Sequence, residues 1–332
     1  MWKKFNIKHV DNMRNFDLKF TDNPAECIHP TLLDLHKKLN QAKDEISSNQ
    51  TNIITWNKSH KLNNKNLNKP YHISRGFYKL EDIFNNFNNF DNVLNKKSPS
   101  LKSFHLCEAP GAFIEYSMYN LGKELNWNAM TINDGNNNAT PSMHHSFNKD
   151  RILNDTVNGD VTNVDNIIYT NKKYANIFNL ITADGGINIL HKYALQEHIT
   201  HLLIFAQVIA AIFLQDTGGV FILKMFDIFT KCSIDILEII QYYWSDIYIY
   251  KPETSRLGNS ERYIVSSGFK GVSVEEKKNL LNIFSEIKTK VKSENVYICS
   301  LFTDDDISDN FIEYNKSFVS NQISYINTVL KM

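Results

Sequence analysis

From Lys102 onward the chain alternates short apolar runs with longer stretches in which apolar residues recur every three or four positions. That alternation predicts βαβ units and a mostly parallel sheet. Strands are expected at 102–107, 129–133, 177–183, 219–225, 246–250 and 262–267, with a further one near 151–157, where the pattern is poor. Helices fit 111–124, 193–215 and 230–243, each with one apolar face. The last strand pair, Asp246 to Tyr250 and Tyr263 to Ser267, suits an antiparallel hairpin that closes the sheet edge. Pro252 then falls in the turn, where its missing N–H does no harm.

Residues 1–100 are patterned differently. Leu32 to Leu39 and Tyr78 to Phe90 are amphipathic helical segments with a polar stretch between them, and the tail carries a helix over 273–292 and a second helical or mixed segment after Asp309. The expected organisation is a helical and polar N-terminal extension over 1–70, an α/β domain over 71–270, and a C-terminal helical extension over 271–332 packed on the core.

Composition changes this picture only at its margins. With 332 residues, 42% of them hydrophobic and 22% charged, the chain can bury a sizeable core. Lys plus Arg (36) balances Asp plus Glu (36), so RNA binding would need a local patch rather than a global field. Lys58, Lys61, Lys65, Lys69 and Arg75, interleaved with His60, Tyr71 and His72, form the best such patch. A solvated linker is the commoner outcome for a charge run. Asn-rich tracts such as Asn85-Asn86-Phe87-Asn88-Asn89 are assigned no function. Cys27, Cys107, Cys232 and Cys299 are widely spaced, which points to neither a zinc site nor a disulfide framework. No apolar leader follows the start, and the greasiest run, Leu202 to Leu214, is interrupted by Gln207 and shorter than the roughly 20 residues of a membrane span. A soluble intracellular protein without a membrane partner is expected.

Candidate chemistry begins where the first strand meets its helix. Glu108-Ala109-Pro110-Gly111-Ala112-Phe113 is a small-residue turn at a strand's carboxyl end, where open α/β sheets place ligands. Neither G-x-G-x-x-G nor a P-loop lysine is present, which counts against dinucleotide or triphosphate phosphates. Gly111 permits close backbone approach, while Glu108 suits the amine of an amino-acid moiety; together they favour S-adenosylmethionine. Asp134, ending the second strand, could meet a ribose diol, and Asp160 could lie at the adenine; either could equally be a turn former or helix cap.

The segment Lys251 to Val265 places a polar, charged turn before a β-branched run, and packing gives no reason for that wording, so it reads as a site rim. Methyl transfer from a sulfonium to a hydroxyl requires the hydroxyl to be oriented and its proton removed. A lysine can do this if a second cation and partial desolvation lower its pKa while carboxylates orient it. Lys224 interrupts the apolar run Val220-Phe221-Ile222-Leu223, where an unpaired lysine would be costly to bury. Taken singly, Lys79 could be a solvated helix lysine, Asp184 a turn residue and Glu261 a hairpin charge.

Lys79 in Arg75-Gly76-Phe77-Tyr78-Lys79, Asp184 in Ala183-Asp184-Gly185-Gly186, Lys224 in Leu223-Lys224-Met225 and Glu261 in Ser260-Glu261-Arg262-Tyr263 occur in the order of a Lys-Asp-Lys-Glu tetrad. Over about residues 70–270 the chain resembles the FtsJ-like (RrmJ-type) ribose 2′-O-methyltransferases. The Ala-Asp-Gly-Gly and Asn-Ser-Glu-Arg-Tyr wording is closer to the cap-specific mRNA branch than to the ribosomal RNA branch.

The resemblance implies a Rossmann-like S-adenosylmethionine-dependent methyltransferase fold, capped RNA as acceptor, and capping or transcription machinery as partners. It assigns Lys224 as general base, Asp184 as its orienting partner, and Lys79 and Glu261 to complete the network, with no metal. Residues 108–113, Asp134, Asp160 and Asp184 would hold the cofactor; Arg75 and Arg256 would meet RNA phosphates. Ala112 stands where many members carry a glycine and would tighten the methionine pocket. Trp56, Tyr71, Phe77 and Tyr78 are open candidates for stacking on a methylated guanine. A ribosomal or transfer RNA 2′-O-methyltransferase and a silent RNA-binding module of the same fold are the alternatives. A compact, Asn-rich chain suits a large DNA virus, which would place the protein in the cytoplasm; a cellular source would place it in the nucleus.

Overall fold

The computed structural model describes residues 3–4, 15–65, 72–87, 90, 94, 100–132, 143–153, 158–187, 193–292, 296–303 and 306–332. Its centre is an eight-stranded sheet. β3 (Lys102–Leu106) pairs in parallel with β4 (Asn126–Met130) and β6 (Phe178–Ala183). β5 (Ile152–Leu153) continues the parallel set beyond β4, and β7 (Gln215–Met225) continues it beyond β6. β9 (Arg262–Phe269) then runs antiparallel between β7 and β8 (Trp244–Tyr250), and β1 (Lys3–Lys4) lies antiparallel on β8. This is the mostly parallel α/β sheet that the patterning predicts, with the Rossmann-like arrangement that the resemblance implies.

The predicted hairpin forms at this end of the sheet, with β9 against β7, β8 outside it and only the two-residue β1 beyond. The burial of Tyr263, Ile264, Val265 and Ser266 in succession explains this, because a strand apolar on both faces belongs in the interior of a sheet.

Alternation along the strands splits the core in two. Phe221 and Leu223 pack with α5 (Val164–Tyr174), α6 (Gln196–Leu214), α7 (Lys231–Tyr243) and α8 (Val274–Val291). Val220, Ile222, Tyr263 and Val265 face the other way, against α3 (Gly76–Asn86) and α4 (Ala112–Leu121). Lys224 keeps the register of Val220 and Ile222, so it emerges on the α3 side at the carboxyl end of β7.

Three expectations need correction. The polar stretch between the two N-terminal helical segments is itself a helix: α1 (Leu33–Ser47) is followed by α2 (Gln50–Lys65), and both pack with the C-terminal α9 (Asp309–Leu330). The basic run is therefore helical as far as Lys65, with Lys58 exposed on it, while Lys69 and Tyr71 lie outside the described residues. Second, the greasy run is part of a longer helical stretch, Tyr193–Leu214, long and apolar enough by composition to cross a membrane; most of it is buried in this fold, which makes it a core helix. Finally, β2 (Lys19–Thr21) and β10 (Tyr297–Ser300) form a small antiparallel sheet that local patterning did not reveal.

Candidate active site

Four separate segments bring the tetrad together. α3 presents Lys79, the end of β6 presents Asp184, β7 presents Lys224, and the residue before β9 is Glu261. Lys79 Nζ lies 2.8 Å from the Glu261 carboxylate. Lys224 Nζ donates to the backbone carbonyl of Asp184 at 2.7 Å and sits 3.3 Å from its Oδ1. All four are largely buried, so their charges act on one another with little screening.

The electrostatics differ from expectation in one respect. Burial pulls Lys224 down, but the charges of Asp184 and Glu261 outweigh it and hold the amine above its ordinary value. The two acids therefore outweigh the neighbouring lysine, and Lys224 keeps its proton. Glu261 shows the reciprocal effect. Burial pushes it up, yet the charges of Lys79 and Lys224 and the hydrogen bonds from Lys79 and Ser255 bring it down to about 2.

Several positioning groups were not assigned from sequence. Tyr263, which faces Lys224 across the β7–β9 register, donates its hydroxyl to Asp184 Oδ1 at 2.9 Å. Ser255 Oγ donates to Glu261 Oε1 at 2.7 Å. Gln207, the polar interruption in the greasy run, is fully buried on α6 and accepts from Gly185 N at 3.1 Å. It thereby pins the Asp184-Gly185-Gly186 turn, and a Cβ at Gly185 would meet its Oε1 at 2.5 Å. A lone amide in an apolar helix was the available signal, since buried polar groups find partners.

Glu108 Oε1 accepts from the α4 amides of Phe113 at 2.7 Å and Ile114 at 3.4 Å, so one oxygen caps the helix. Its Oε2 is buried without a hydrogen-bond partner among the described residues, and burial together with the Asp184 charge pushes the carboxyl well above its ordinary range. An ammonium is the group such an oxygen lacks. Gly111, at φ +110°, starts α4, and a Cβ there would meet the Phe147 ring at 2.2 Å. These features fit the amino-acid end of S-adenosylmethionine. Ala109, Pro110, Ala112 and Phe113 complete the turn, with Ala112 and Phe113 buried in the core.

The remaining candidates separate. Asp160 accepts from Thr162 N at 2.8 Å and from Thr162 Oγ1, the turn-forming role left open above, next to Gly159, whose Cβ would meet Thr131 O at 1.9 Å. Asp134 lies outside the described residues. Arg75 donates through Nη2 to the Thr254 carbonyl, and Arg256 is exposed beside it, near enough for the two charges to interact. Phe77 and Tyr78 are buried core residues, and the half-buried Trp56 packs edge-on to Tyr325 and against Gly258.

The family model described as FtsJ-like methyltransferase matches residues 72–269. Over 238 residues the chain is 29% identical to the cap-specific mRNA (nucleoside-2′-O-)-methyltransferase 2 of Drosophila melanogaster, covering 64% of this chain and 33% of that protein. It is 33% identical over 276 residues to uncharacterized protein L511 of Acanthamoeba polyphaga mimivirus, covering 77% and 33% respectively. To the cap-specific mRNA (nucleoside-2′-O-)-methyltransferase 1 of Mus musculus it is 25% identical over 290 residues, covering 76% and 34%. The chain thus spans about a third of the length of these relatives.

Proposed function

The chain belongs to the FtsJ-like methyltransferase family, and from that membership we propose that it methylates the ribose 2′-hydroxyl of capped mRNA. The observation that carries the reading is the convergence of Lys79, Asp184, Lys224 and Glu261 from four segments onto one point at the carboxyl end of the parallel strands. S-adenosylmethionine supplies an activated methyl group on a positively charged sulfur.

The protein's own residues handle the proton. Lys224 is the general base for the 2′-hydroxyl, oriented by Asp184, which Tyr263 holds in turn. Because Asp184 and Glu261 keep Lys224 charged in the ligand-free network, its base form depends on positive charge entering the site. Lys79 and Glu261 complete the network, and the neighbouring charges of Arg75 and Arg256 support their assignment to RNA phosphates. The cap preference rests on the similarity to cap-specific methyltransferases and on the sequence Asn259-Ser260-Glu261-Arg262-Tyr263. Capping or transcription machinery is the corresponding class of partner.

Incubation with S-adenosylmethionine and a short RNA, capped or uncapped, followed by nuclease mapping and mass spectrometry, tests the proposal. A single 2′-O-methyl group near the cap of the capped RNA alone is expected. Better transfer to uncapped structured RNA would move the assignment to ribosomal or transfer RNA, and RNA binding without transfer would make the chain a silent module.

A further inference from the structure

Loop 251–261 joins β8 to β9 and carries both Ser255 and Glu261. Its middle is gripped from outside the sheet. Gln322 on α9 donates from Nε2 to the Gly258 carbonyl at 3.0 Å and lies 3.4 Å from Ser260 Oγ. Trp56 on α2 sits so close to Gly258 that a Cβ there would meet its ring at 2.1 Å. Lys43 on α1 donates to Ser260 Oγ at 3.0 Å and to Asp227 Oδ2 at 2.8 Å, while Ser260 Oγ donates to that same carboxylate oxygen at 2.6 Å. Inside the loop, Lys251 Nζ ties the Asn259 and Glu261 carbonyls together at 2.8 and 2.9 Å.

A nearly buried Lys43–Asp227 pair is a poor source of stability, because both ions lose their water. What the pair does fix is a position, that of Ser260, the residue immediately before Glu261. Arg262, on the other side of Glu261, is fully buried, donates to Asn315 Oδ1 on α9 at 3.0 Å and lies 3.7 Å over the Phe318 ring of the same helix. Both neighbours of Glu261 are therefore anchored to helices outside the family-matched segment 72–269.

We infer that Lys43 and Gln322 are positioning residues for methyl transfer, latching loop 251–261 from the two terminal extensions so that Glu261 meets Lys79. The inference rests on the proposed methyl transfer and gives the terminal extensions a part in its acceptor side.

Gln322→Leu and Lys43→Met in the full chain test the latch, since each keeps much of the side-chain bulk and removes the donors. Amide hydrogen exchange across 253–261 is expected to quicken about tenfold or more, with exchange in β3 and β6 unchanged. In parallel, kcat on capped RNA should fall between about tenfold and 10²-fold with KM for S-adenosylmethionine unchanged. Lys43→Arg, which can donate to both Asp227 and Ser260, should restore most of the rate. Unchanged exchange in the loop, or a loosened loop with unchanged kcat, overturns the inference. Should Lys43→Met fail to fold, Gln322→Leu decides the question by the same readouts. If the wild-type chain transfers no methyl group to any RNA, the proposed function fails, and loop exchange alone decides whether the extensions hold the loop.

Discussion

Around Glu108 the chain sets its geometry with near neighbours in sequence, Phe113 and Ile114, five and six positions on. Around Glu261 a near neighbour, Ser255, six positions earlier, is joined by residues from far away: Lys79 is 182 positions earlier, and Lys43 reaches the adjacent Ser260 across 217. The cofactor side is a strand, a turn and a helix start, backed by Thr131 and Phe147 within about 36 positions and by the Gln207 pin under the neighbouring Asp184-Gly185-Gly186 segment. The side proposed for the acceptor is completed only when these distant segments meet. Local encoding suits a ligand common to a family, and distributed encoding suits the side on which an acceptor is selected.

The largest test of this division is Lys224→Ala. Removal of the proposed base should lower methyl transfer by about 10²- to 10⁴-fold while S-adenosylmethionine affinity, measured by calorimetry, stays near that of the wild type. Retained turnover would detach the tetrad from the chemistry, and lost cofactor binding would show that the two sides are not separable.

Next comes the acid dependence of Glu261. Its carboxyl is held at about 2 against an ordinary 4.5, so the charged form stabilises the fold by about 3 kcal/mol, at about 1.4 kcal/mol per pKa unit. Because the pKa is depressed, that stability is present above pH 4.5 and is lost as the pH falls toward 2. Urea unfolding of wild type and Glu261→Gln should show the wild-type advantage shrinking through this window. An advantage that stays constant from pH 5 to pH 2 would mean the network contributes by packing and not by charge.

A smaller effect is expected on the cofactor side. Gly111→Ala forces a methyl group into the Phe147 ring at a left-handed backbone position, which should cost about 1–3 kcal/mol of stability and weaken cofactor binding. Hydrogen exchange in loop 251–261 should not change. A loosened loop would show that the two sides are coupled after all.

Legibility in the sequence follows the same division. The parallel strands and the helices between them could be read from periodicity because each is a local pattern, and Lys224 stood out because a charge in an apolar strand needs a reason. The insertion of β9 between β7 and β8, the pairing of β2 with β10, and the grip of Lys43 on Ser260 depend on chain segments that meet only in three dimensions. Helix α2 escaped because its polar sequence has no clear apolar stripe, and packing rather than propensity sustains such a helix. The contact of Trp56 with Gly258 is likewise a meeting of distant segments that residue type alone does not announce.

The long-range closure of loop 251–261 also orders events in time. Contacts between residues far apart in the chain form late, because the entropy of closing large loops opposes them and domains build outward from local structure. During synthesis the strand–turn–helix around Glu108 can take shape long before Gln322 has been added to the chain. A growing polypeptide is thus expected to gain the means to hold its methyl donor before it gains the means to spend it.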